Sequence, residues 1–421
     1  MLFQVMKRFK VVTLGCRTNQ YESQAYADQL RQMGYVVANE GEEADLCVVN
    51  TCTVTESADR SSRREIRSLL RQHPKAKVAV TGCMAESAPE VLRSLDERIA
   101  VVPNQKKDQL LALVLPEGEN FPEFHIQAFD EHTRAFVKVQ DGCDSYCTYC
   151  IIPYVRGRSR SRTIEDVLRE CRKLIENGYK EIVLTGINIG DFEDRGKRLA
   201  DLVRAVDQIE GLKRLRISSI DPDEIDDSLK DAVLNGRSTC PSMHIVLQSG
   251  SNVILKRMNR KYTKQIFLQT VEDLVRLKPD FTVTTDVIVG FPGESEADFT
   301  DTMEIISSLP FAKVHMFPYS RRERTRAALY PNQIPPDLMN ERKQVLLRLA
   351  EKRAFALRNQ FLGRTMHVLL EQSDETRSGF LCGHTENFLR VWVQAKSYKP
   401  NDLIQVKLIA NEPDGLVGEV L

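Results

Sequence analysis

The stretch that decides the fold reads Val139-Gln-Asp-Gly-Cys143-Asp-Ser-Tyr-Cys147-Thr-Tyr-Cys150, with three cysteines in the pattern C-x3-C-x2-C. Thiolates this close in sequence can converge on one metal centre. Three thiolates are one short of a closed four-cysteine shell, whether for zinc or for a cubane iron–sulfur cluster. A cubane held at three corners leaves one iron free for a further ligand. The run therefore indicates a site of chemistry rather than a purely structural site.

The surrounding sequence, from about residue 134 to 335, alternates strand-like and helix-like stretches. Six such units predict an α/β fold with a partial (β/α)6 barrel, in which chemistry takes place at the carboxyl ends of the strands. The three-cysteine run follows the first strand and so occupies that position. A long charged helix is predicted after the barrel, over Asn340–Phe361. The six predicted strands are Ala135–Gln140, Glu181–Thr185, Arg214–Ser218, Met243–Gln248, Phe281–Val289 and Ala312–Pro318.

The first hundred residues also alternate strands with helices, which predicts a parallel α/β sheet. Cys16, Cys52 and Cys83 each come directly after a predicted strand. Open parallel sheets bind ligands beyond the carboxyl ends of their strands, so these cysteines would lie on one rim of the sheet. They form either a second three-thiolate site or three unrelated strand-end cysteines, and their long spacing alone does not decide between the two. The predicted strands are Phe9–Gly15, Leu46–Thr51, Lys77–Gly82 and Ile99–Val102, with helices over Ser23–Met33 and Glu56–Gln72.

The C-terminal segment contains short β-rich runs separated by polar turns, which predict a small β-barrel of a size that often binds RNA. The predicted strands are Met366–Glu371, Phe388–Val393 and Leu403–Ile409. It carries six Lys or Arg against eight Asp or Glu, so an RNA-binding face would depend on few residues, such as Arg390, Trp392 and Lys396. A turn-rich, acidic linker is predicted over about 104–133. We divide the chain into domains spanning 1–120, 130–360 and 361–421.

Composition limits the possible functions. The 421 residues include 59 Lys and Arg and 59 Asp and Glu, so no overall field attracts nucleic acid and any contact must be local. No signal peptide and no apolar run of the ~18 residues needed to cross a bilayer is visible, and we expect a cytoplasmic protein. Ten cysteines in a reducing compartment favour metal binding or chemistry over disulfides. Four of them stand apart from any cluster spacing and are interpreted as small buried hydrophobes: Cys47, Cys171, Cys240 and Cys382.

The three-cysteine run resembles the signature of radical S-adenosylmethionine (SAM) enzymes, which place an aromatic residue, here Tyr149, before the last cysteine. Its continuation Cys150-Ile-Ile-Pro-Tyr-Val-Arg-Gly-Arg is similar to the methylthiotransferase branch, as are His244-Ile-Val-Leu-Gln-Ser-Gly-Ser and Asp286-Val-Ile-Val-Gly-Phe-Pro-Gly-Glu. The resemblance covers nearly the whole chain. It implies an N-terminal methylthiotransferase domain, a central radical SAM barrel and a C-terminal TRAM-like RNA-binding barrel.

The resemblance also implies cofactors and an activity. It implies that Cys143, Cys147 and Cys150 hold the [4Fe–4S] cluster that binds SAM, and that a second, auxiliary [4Fe–4S] cluster supplies sulfur. The reaction would insert a methylthio group at C2 of an adenine. An electron donor and a sulfur donor are implied as partners, and their identity is unknown. The auxiliary cluster would be held by Cys16, Cys52 and Cys83.

The motif Thr13-Leu-Gly-Cys-Arg-Thr-Asn-Gln-Tyr-Glu-Ser resembles the branch that acts on N6-threonylcarbamoyladenosine at nucleotide 37, in the tRNA anticodon stem-loop. The isopentenyladenosine branch tends to have Gln-Met-Asn after the cysteine. The branch that modifies an aspartate of a ribosomal protein tends to have Pro-Lys-Asn. Isopentenyladenosine-37 of tRNA and an aspartate of a ribosomal protein remain the alternative substrates.

Further site residues follow from strand ends and basic runs, and no catalytic residue is assigned beyond the cluster ligands. Arginines at 156, 158 and 160 alternate with small residues after the cluster run and are interpreted either as phosphate contacts or as a solvated loop. Arg390 and Lys396 are the predicted RNA contacts of the C-terminal barrel. The predicted SAM-binding residues are Tyr149, Gly186, Asn188, Ser218, Gln248 and Asp286; the predicted RNA contacts near the cluster are Arg156, Arg158 and Arg160.

Two other classes of protein compete with an enzyme. An electron-transfer protein that carries two clusters would need closed four-cysteine shells, whereas both sets here have three cysteines. A structural zinc protein with an RNA-binding tail would favour paired C-x2-C halves, which the run lacks. An electron-transfer protein would also leave a six-unit barrel without a purpose.

Overall fold

The structure is a computed structural model and describes residues 6–115, 120–127, 133–373, 377–395 and 397–421. These residues divide into two compact units. Unit 1 contains the described residues within 1–128, 141–160 and 320–328, and unit 2 contains those within 129–140, 161–319 and 329–421. The segment with Cys143, Cys147 and Cys150 therefore belongs to the same unit as the N-terminal sheet.

Unit 1 is built on a five-stranded, wholly parallel sheet with the strand order β2-β1-β3-β4-β5. The strands are β1 (Arg8–Thr13), β2 (Val36–Val37), β3 (Leu46–Thr51), β4 (Lys77–Gly82) and β5 (Ile99–Val101). The helices are α1 (Arg17–Gln32), α2 (Glu56–Gln72), α3 (Cys83–Ser87), α4 (Pro89–Arg93), α5 (Leu110–Val114) and α6 (Ile152–Arg156), with a 3-10 turn over Asn104–Gln109.

The central strands of this sheet are buried on both faces. Every residue of β3 is buried, which its apolar run Leu46–Val49 predicts, and the polar Asn50 and Thr51 that follow are buried as well. Helix α2 begins at a Thr55 cap whose side chain accepts a hydrogen bond from the N–H of Ala58, and acidic residues fill its first turn. The predicted linker over 104–133 is wrong at its start: the side chains of Leu110, Leu111 and Val114 in α5 are buried in the core beside Tyr26.

Unit 2 contains the remaining strands and helices. The strands are β6 (Arg134–Lys138), β7 (Gln140–Asp141), β8 (Arg160–Ser161), β9 (Glu181–Thr185), β10 (Glu193–Asp194), β11 (Lys197–Arg198), β12 (Arg214–Ile217), β13 (Ser242–His244), β14 (Thr282–Val289), β15 (Phe311–Pro318), β16 (Thr365–Ser373), β17 (Phe380–Thr385), β18 (Arg390–Gln394), β19 (Leu403–Glu412) and β20 (Gly415–Val420). Strands β7 and β8 each have one residue in unit 1. The helices are α7 (Ile164–Glu176), α8 (Leu199–Asp207), α9 (Asp227–Asn235), α10 (Asn252–Arg257), α11 (Lys264–Leu277), α12 (Glu296–Ser308) and α13 (Pro336–Asn359).

The predicted six-unit partial barrel is confirmed. Strands β6, β9 and β12 form one parallel sheet, and β13, β14 and β15 form another. A parallel bridge between Ile220 and Ile245 joins the two. The fourth strand is shorter than predicted and ends at His244, although Gln248 still forms an isolated bridge with Val287. The barrel strands therefore end side by side, as the strand–helix alternation indicates.

The C-terminal segment is a closed five-stranded barrel in the order β16-β17-β18-β20-β19, which confirms the predicted architecture. Two of its strands, β17 and β20, were not predicted, because glycines such as Gly383 and Gly418 interrupt their apolar pattern. The barrel is held to strand β12 by two buried arginines. The guanidinium of Arg214 donates to the carbonyl oxygens of His367 and His384, at 2.7 and 2.8 Å.

Arg216 is the second of these arginines and makes the larger set of bonds. Its guanidinium donates to Glu181 at 2.7 Å and to the carbonyl oxygens of Thr385 and Glu386 at 2.9 and 2.8 Å. Its side chain is 5% exposed and that of Glu181 is 1% exposed. Within the described part of the chain, no helix is long and apolar enough to cross a membrane.

We expect Arg216→Ala to lower the free energy of unfolding of unit 2 by about 3 kcal/mol, because it leaves a buried carboxylate at Glu181 without its main cation. Urea unfolding followed by circular dichroism would measure the loss. Arg204→Ala is the matched control, since its ion pair with Asp231 is exposed, and we expect a far smaller loss there. Equal losses in the two variants would contradict the role of Arg216.

Candidate functional site

Cys16, Cys52 and Cys83 lie at the ends of three neighbouring strands of unit 1. Strands β1 and β4 both pair with β3, and the last residues of β3 and β4 are opposite each other in the ladder. Burial, which is the largest cause, and the nearby thiols of Cys83 and Cys16 together raise the pKa of Cys52 to about 11. The three strand ends therefore lie on the same edge of the sheet, and the grouping of the three thiols into one site stays a prediction.

Two glycines allow the cysteine-bearing loops to approach this closely. Gly15 and Gly82 precede Cys16 and Cys83 and have φ angles of +104° and +92°. A Cβ added at Gly15 would lie 2.9 Å from the Cβ atom and 3.1 Å from the Sγ atom of Cys52. Only glycine combines this backbone conformation with an empty space for the neighbouring cysteine.

Polar groups surround the three thiols. The thiol of Cys16 donates to the side-chain oxygen of Asn19 at 3.7 Å, and the Asn19 amide nitrogen donates to the carbonyl oxygens of Leu14 and Thr51 at 2.6 and 3.1 Å. Cys16 is also the N-cap residue of helix α1. Asn19 therefore connects the loops that carry the first two cysteines.

The second cysteine set, Cys143, Cys147 and Cys150, lies on a tightly folded loop. The N–H of Cys150 donates to the carbonyl oxygen of Cys147 at 3.0 Å, so these two residues share one turn. The N–H of Ser145 donates to the sulfur of Cys143 at 3.4 Å. The N–H of Cys143 donates to the carbonyl oxygen of Gly157 at 3.1 Å, which closes the base of the loop.

The two cysteine sets are neighbours within unit 1. Helix α6 begins two residues after Cys150, and its Val155 packs with Ile151 against Cys83. The amide nitrogen of Asn104 donates to the carbonyl oxygen of Val155 at 2.8 Å and lies 4.0 Å from the sulfur of Cys83. The loop after Cys150 is thus fixed against the third of the strand-end cysteines.

The prediction that Arg156 contacts RNA is corrected by the structure. Its side chain has no exposed surface, so a phosphate group cannot reach the guanidinium. The guanidinium binds Glu22 at 3.2 Å, Asp141 at 2.9 Å and the side-chain oxygen of Asn19. Lys107 also binds Glu22, at 2.6 Å, and Asp141. We call this buried set, Glu22, Lys107, Asp141 and Arg156, the Arg156 network.

The other predicted RNA contacts lie at the surface or outside the described residues. The side chain of Arg158 is 78% exposed and lies 3.3 Å from Asp144, and that of Arg160 is 50% exposed. The guanidinium of Arg390 lies over the ring of Trp392, 4.7 Å from its centroid. Lys396 lies outside the described residues.

The predicted SAM-binding residues of unit 2 lie at the ends of barrel strands. Gly186 follows β9, and the side-chain oxygen of Gln140 accepts hydrogen bonds from the N–H groups of Ile187 and Asn188, both at 2.9 Å. The Asn188 amide donates to Glu224 at 2.8 Å. Gln140 and Glu224 were missed by the sequence analysis, and the position of Gln140 directly before the cysteine loop was the available signal.

Two further polar atoms at strand ends have unused hydrogen-bonding capacity. Among the described residues, the buried Ser218 Oγ and Gln248 Oε1 atoms have no hydrogen-bond partner. Gln248 also has a φ of +63°, a strained conformation for a residue other than glycine that is typical of functional sites. Buried polar atoms without a partner are costly, so these two atoms suit a polar ligand.

Asp286 and Tyr149 complete the predicted set. Asp286 is half-buried within β14, and its carboxylate lies 3.3 Å from Nε2 of His244. The ring of His315 lies 5.9 Å from that of His244, so the barrel interior holds two imidazoles beside one carboxylate. Tyr149 belongs to the cysteine loop of unit 1 and is half-buried.

The residues of unit 1 fit iron–sulfur clusters. In the described part of the chain, no group of three or more His, Cys, Asp or Glu side chains is arranged to bind a single metal ion. A cubane differs, because each thiolate binds a different iron atom. Each site offers three thiols and a constrained backbone. The buried Arg156 Nε atom, which has no hydrogen-bond partner in the described structure, adds a donor beside the sulfur atoms of the first set.

Glu224 gives the site of unit 2 a titratable group near neutral pH. Burial and the neighbouring Asp221 raise its pKa to about 7, while the hydrogen bond from Asn188 lowers the pKa. The carboxyl group therefore keeps its proton in the folded chain up to about pH 7, whereas in the unfolded chain it loses the proton near its ordinary pKa. The free energy of unfolding then falls as pH rises between about 4.5 and about 7.

We expect Glu224→Gln to remove this decline, because glutamine carries no proton to lose. Relative to the parent, the free energy of unfolding of the variant should increase as pH rises from about 4.5 to about 7. Above about pH 7 the difference between the two proteins should stay constant. Urea unfolding at a series of pH values would measure it, with the exposed Glu210→Gln as control. Parallel pH profiles for parent and Glu224→Gln would show that the prediction is wrong.

Comparison with known proteins identifies the family. Residues 8–103 match the profile described as "Uncharacterized protein family UPF0004", and residues 137–306 match the radical SAM superfamily. The threonylcarbamoyladenosine tRNA methylthiotransferase MtaB of Chlamydia pneumoniae is 48% identical over 99% of both chains. The tRNA-2-methylthio-N(6)-dimethylallyladenosine synthase of Caldicellulosiruptor saccharolyticus is 36% identical over 99% of this chain and 93% of that protein.

A solved structure agrees at the level of the fold. The radical S-adenosylmethionine methyltransferase TsrM from Kitasatospora setae, solved with cobalamin and a [4Fe–4S] cluster bound, superposes with a TM-score of 0.53. The match covers 77% of each chain at 14% identity, and it therefore shows a shared fold alone. With the full-length identity to MtaB, the chain belongs to the radical SAM methylthiotransferase family.

Proposed function

We propose that this chain inserts a methylthio group at C2 of N6-threonylcarbamoyladenosine at position 37 of tRNA. One observation carries the proposal: two separate sets of three cysteines lie side by side in unit 1, joined by α6. A reaction that adds sulfur to an unreactive carbon needs both a radical source and a sulfur source. Two cysteine sets with open coordination provide a place for each.

The cofactors of the family are two [4Fe–4S] clusters and SAM. Cys143, Cys147 and Cys150 would hold the cluster that binds SAM, and Cys16, Cys52 and Cys83 would hold the auxiliary cluster. When bound, these groups supply one-electron chemistry at a carbon–hydrogen bond and the sulfur to be transferred. The protein supplies position: Gly15 and Gly82 let the strand-end thiols converge, and the turn at Cys147 orients the second set.

The polar strand ends of unit 2 support the SAM site. Ser218 Oγ and Gln248 Oε1 would accept hydrogen bonds from SAM, because both atoms are buried and without a partner among the described residues. Gln140 holds the backbone of the turn at Gly186 and Asn188 in a fixed conformation through two hydrogen bonds. Tyr149 and Asp286 complete the proposed set of SAM contacts.

The tRNA anticodon stem-loop would be bound by exposed basic side chains. Arg158 and Arg160 are exposed next to the cysteine loop. The other proposed contacts are Arg390, in β18 of the C-terminal barrel, and Lys396, which lies outside the described residues. Phosphate contacts of this kind position an RNA without reading its sequence. Catalysis over many turnovers would need an electron donor and a sulfur donor as further partners.

The alternative substrates, isopentenyladenosine-37 and a ribosomal-protein aspartate, are not favoured. The relative with 48% identity is named for threonylcarbamoyladenosine, and the dimethylallyladenosine synthase is 36% identical. The motif Cys16-Arg-Thr-Asn points to the same branch. The substrate can be decided by direct analysis of tRNA.

We expect a bacterial host that lacks its own enzyme to regain 2-methylthio-N6-threonylcarbamoyladenosine when it expresses this chain, and to lose it again with Cys83→Ala. Mass spectrometry of tRNA nucleosides would measure the modified nucleoside and its precursor. Cys171→Ala is the matched control, because Cys171 is a buried cysteine of α7 in unit 2, whereas both cysteine sets belong to unit 1. Restoration of the isopentenyladenosine derivative instead would contradict the substrate assignment.

We also expect the two cysteine sets to bind iron independently. Replacing Cys143, Cys147 and Cys150 with alanine should leave about half of the iron of the anaerobically reconstituted parent, because one cluster of equal size remains. The corresponding replacement of Cys16, Cys52 and Cys83 should do the same. Iron and sulfide analysis would measure both variants, and complete loss of iron in either would show that the sites do not load separately.

A further inference from the structure

Arg156 is the most deeply buried charged side chain of the loop region that follows Cys150. Its guanidinium forms ion pairs with Glu22 and Asp141, and Lys107 binds the same two carboxylates. The network therefore contains two cations and two carboxylates, all from different parts of the sequence. Arginine does not lose its proton in proteins, so its charge remains inside unit 1 at any physiological pH.

The same guanidinium reaches the three strand ends that carry the first cysteine set. It donates to Asn19, whose amide nitrogen binds the carbonyl oxygens of Leu14 and Thr51. Those carbonyl groups lie two residues before Cys16 and one residue before Cys52. Arg156 is thus connected to the first two strand ends through a single side chain.

The geometry also places the cation of Arg156 beside the thiols. The guanidinium of Arg156 and the thiol of Cys16 donate to the same side-chain oxygen of Asn19. At the third strand end, Val155, the residue before Arg156, packs with Ile151 against Cys83. The amide nitrogen of Asn104 donates to the carbonyl oxygen of Val155 at 2.8 Å and lies 4.0 Å from the sulfur of Cys83.

Arg156 ends helix α6, which begins two residues after Cys150. Its backbone is therefore part of the segment that follows Cys150. Its side chain donates a hydrogen bond to Asn19, next to the first cysteine set. A change in the position of one cysteine set would be transmitted to the other through Arg156 and Val155.

We propose that Arg156 is a positioning residue that fixes the strand-end cysteines relative to the Cys143–Cys150 loop and places a permanent positive charge beside the auxiliary cluster. The inference rests on the cluster assignment in the proposed function and adds a role to it. Reduction of a cluster adds negative charge, so a nearby cation raises the reduction potential. Arg156 therefore makes the auxiliary cluster easier to reduce than the same cluster would be without it.

The test uses a full-length chain in which Cys143, Cys147 and Cys150 are alanine, so that the auxiliary cluster is the one measured. Its reduction potential is determined by anaerobic spectroelectrochemistry without SAM or tRNA. We expect Arg156→Gln to shift the potential to a more negative value and Arg156→Lys, which keeps the charge, to shift it less. Glu22→Gln removes a carboxylate from the network and should shift the potential in the positive direction.

Arg60→Gln is the matched control, because Arg60 is an exposed arginine of unit 1 on helix α2. The reduction potential of the auxiliary cluster in this variant should equal that of the chain with intact Arg60. Iron content of each variant is measured in parallel. If Arg156→Gln fails to retain iron, the reduction potential of Glu22→Gln is the deciding result, and a shift to a more positive potential supports the inference. Unchanged potentials in fully loaded Arg156→Gln or Glu22→Gln would overturn the inference.

The outcomes also separate this inference from the proposed function. If the background chain with intact Arg156 shows no iron–sulfur absorbance, the assignment of the auxiliary cluster to Cys16, Cys52 and Cys83 fails, and the role of Arg156 fails with it. If the cluster is present and its reduction potential does not change in the Arg156 and Glu22 variants, the assignment of the auxiliary cluster stands and the inference alone is rejected. The substrate assignment affects neither result.

Discussion

The parallel register of β1, β3 and β4 is the constraint on which the proposed chemistry depends. Parallel strands in register end at the same edge, so cysteines that follow the strand ends lie at that edge, although they are 31 and 36 positions apart in sequence. Cys52 and Cys83 come directly after β3 and β4, and Cys16 comes three positions after β1. The loops also require glycine at positions 15 and 82, where φ is positive. A side chain at Gly15 would occupy the space next to Cys52. The second cysteine set needs no such sheet, since its spacing within one loop already brings the residues together.

Both units place arginine in their interior to hold distant segments. In unit 1, Arg156 binds Glu22 across 134 sequence positions. In unit 2, Arg216 binds carbonyl oxygens of the C-terminal barrel across 169 and 170 positions. Buried charges are costly, and their replacement by apolar side chains is often neutral for stability. The planar guanidinium, however, offers several donors in fixed directions, which suits it to fix the geometry between segments.

Much of the fold could be predicted from local sequence. Strands β3, β4 and β9 and helix α2 were predicted with the bounds that the structure has, because long buried runs and a Thr55 cap mark them clearly. Strands β17 and β20 were missed because their glycines weaken the apolar alternation. The cysteine positions were informative because thiols in a short pattern have few other uses.

The details of the site depended on contacts that sequence spacing does not reveal. Arg156 lies in a basic run that is typical of an exposed loop, and nothing nearby in sequence indicates that Glu22 and Lys107 surround it. Gln140 and Glu224 were missed for the same reason: each binds the turn after β9 from another segment of unit 2. Residue type predicts which groups can bind a ligand, whereas tertiary packing decides which of them are already occupied.

The discontinuity of unit 1 has a consequence for how the chain folds as it is synthesised. The first 128 residues contain the whole parallel sheet, but Asp141 and Arg156 of the buried network follow later. The last part, residues 320–328, binds through Arg322 to Thr53 and Asp59 and through the N–H of Ala327 to the carbonyl oxygen of Thr148. Domains generally fold in order as they leave the ribosome. Here the segments that complete unit 1, residues 141–160 and 320–328, follow its sheet in the sequence. The sheet therefore leaves the ribosome before the chain that supplies Asp141, Arg156 and Arg322 has been made.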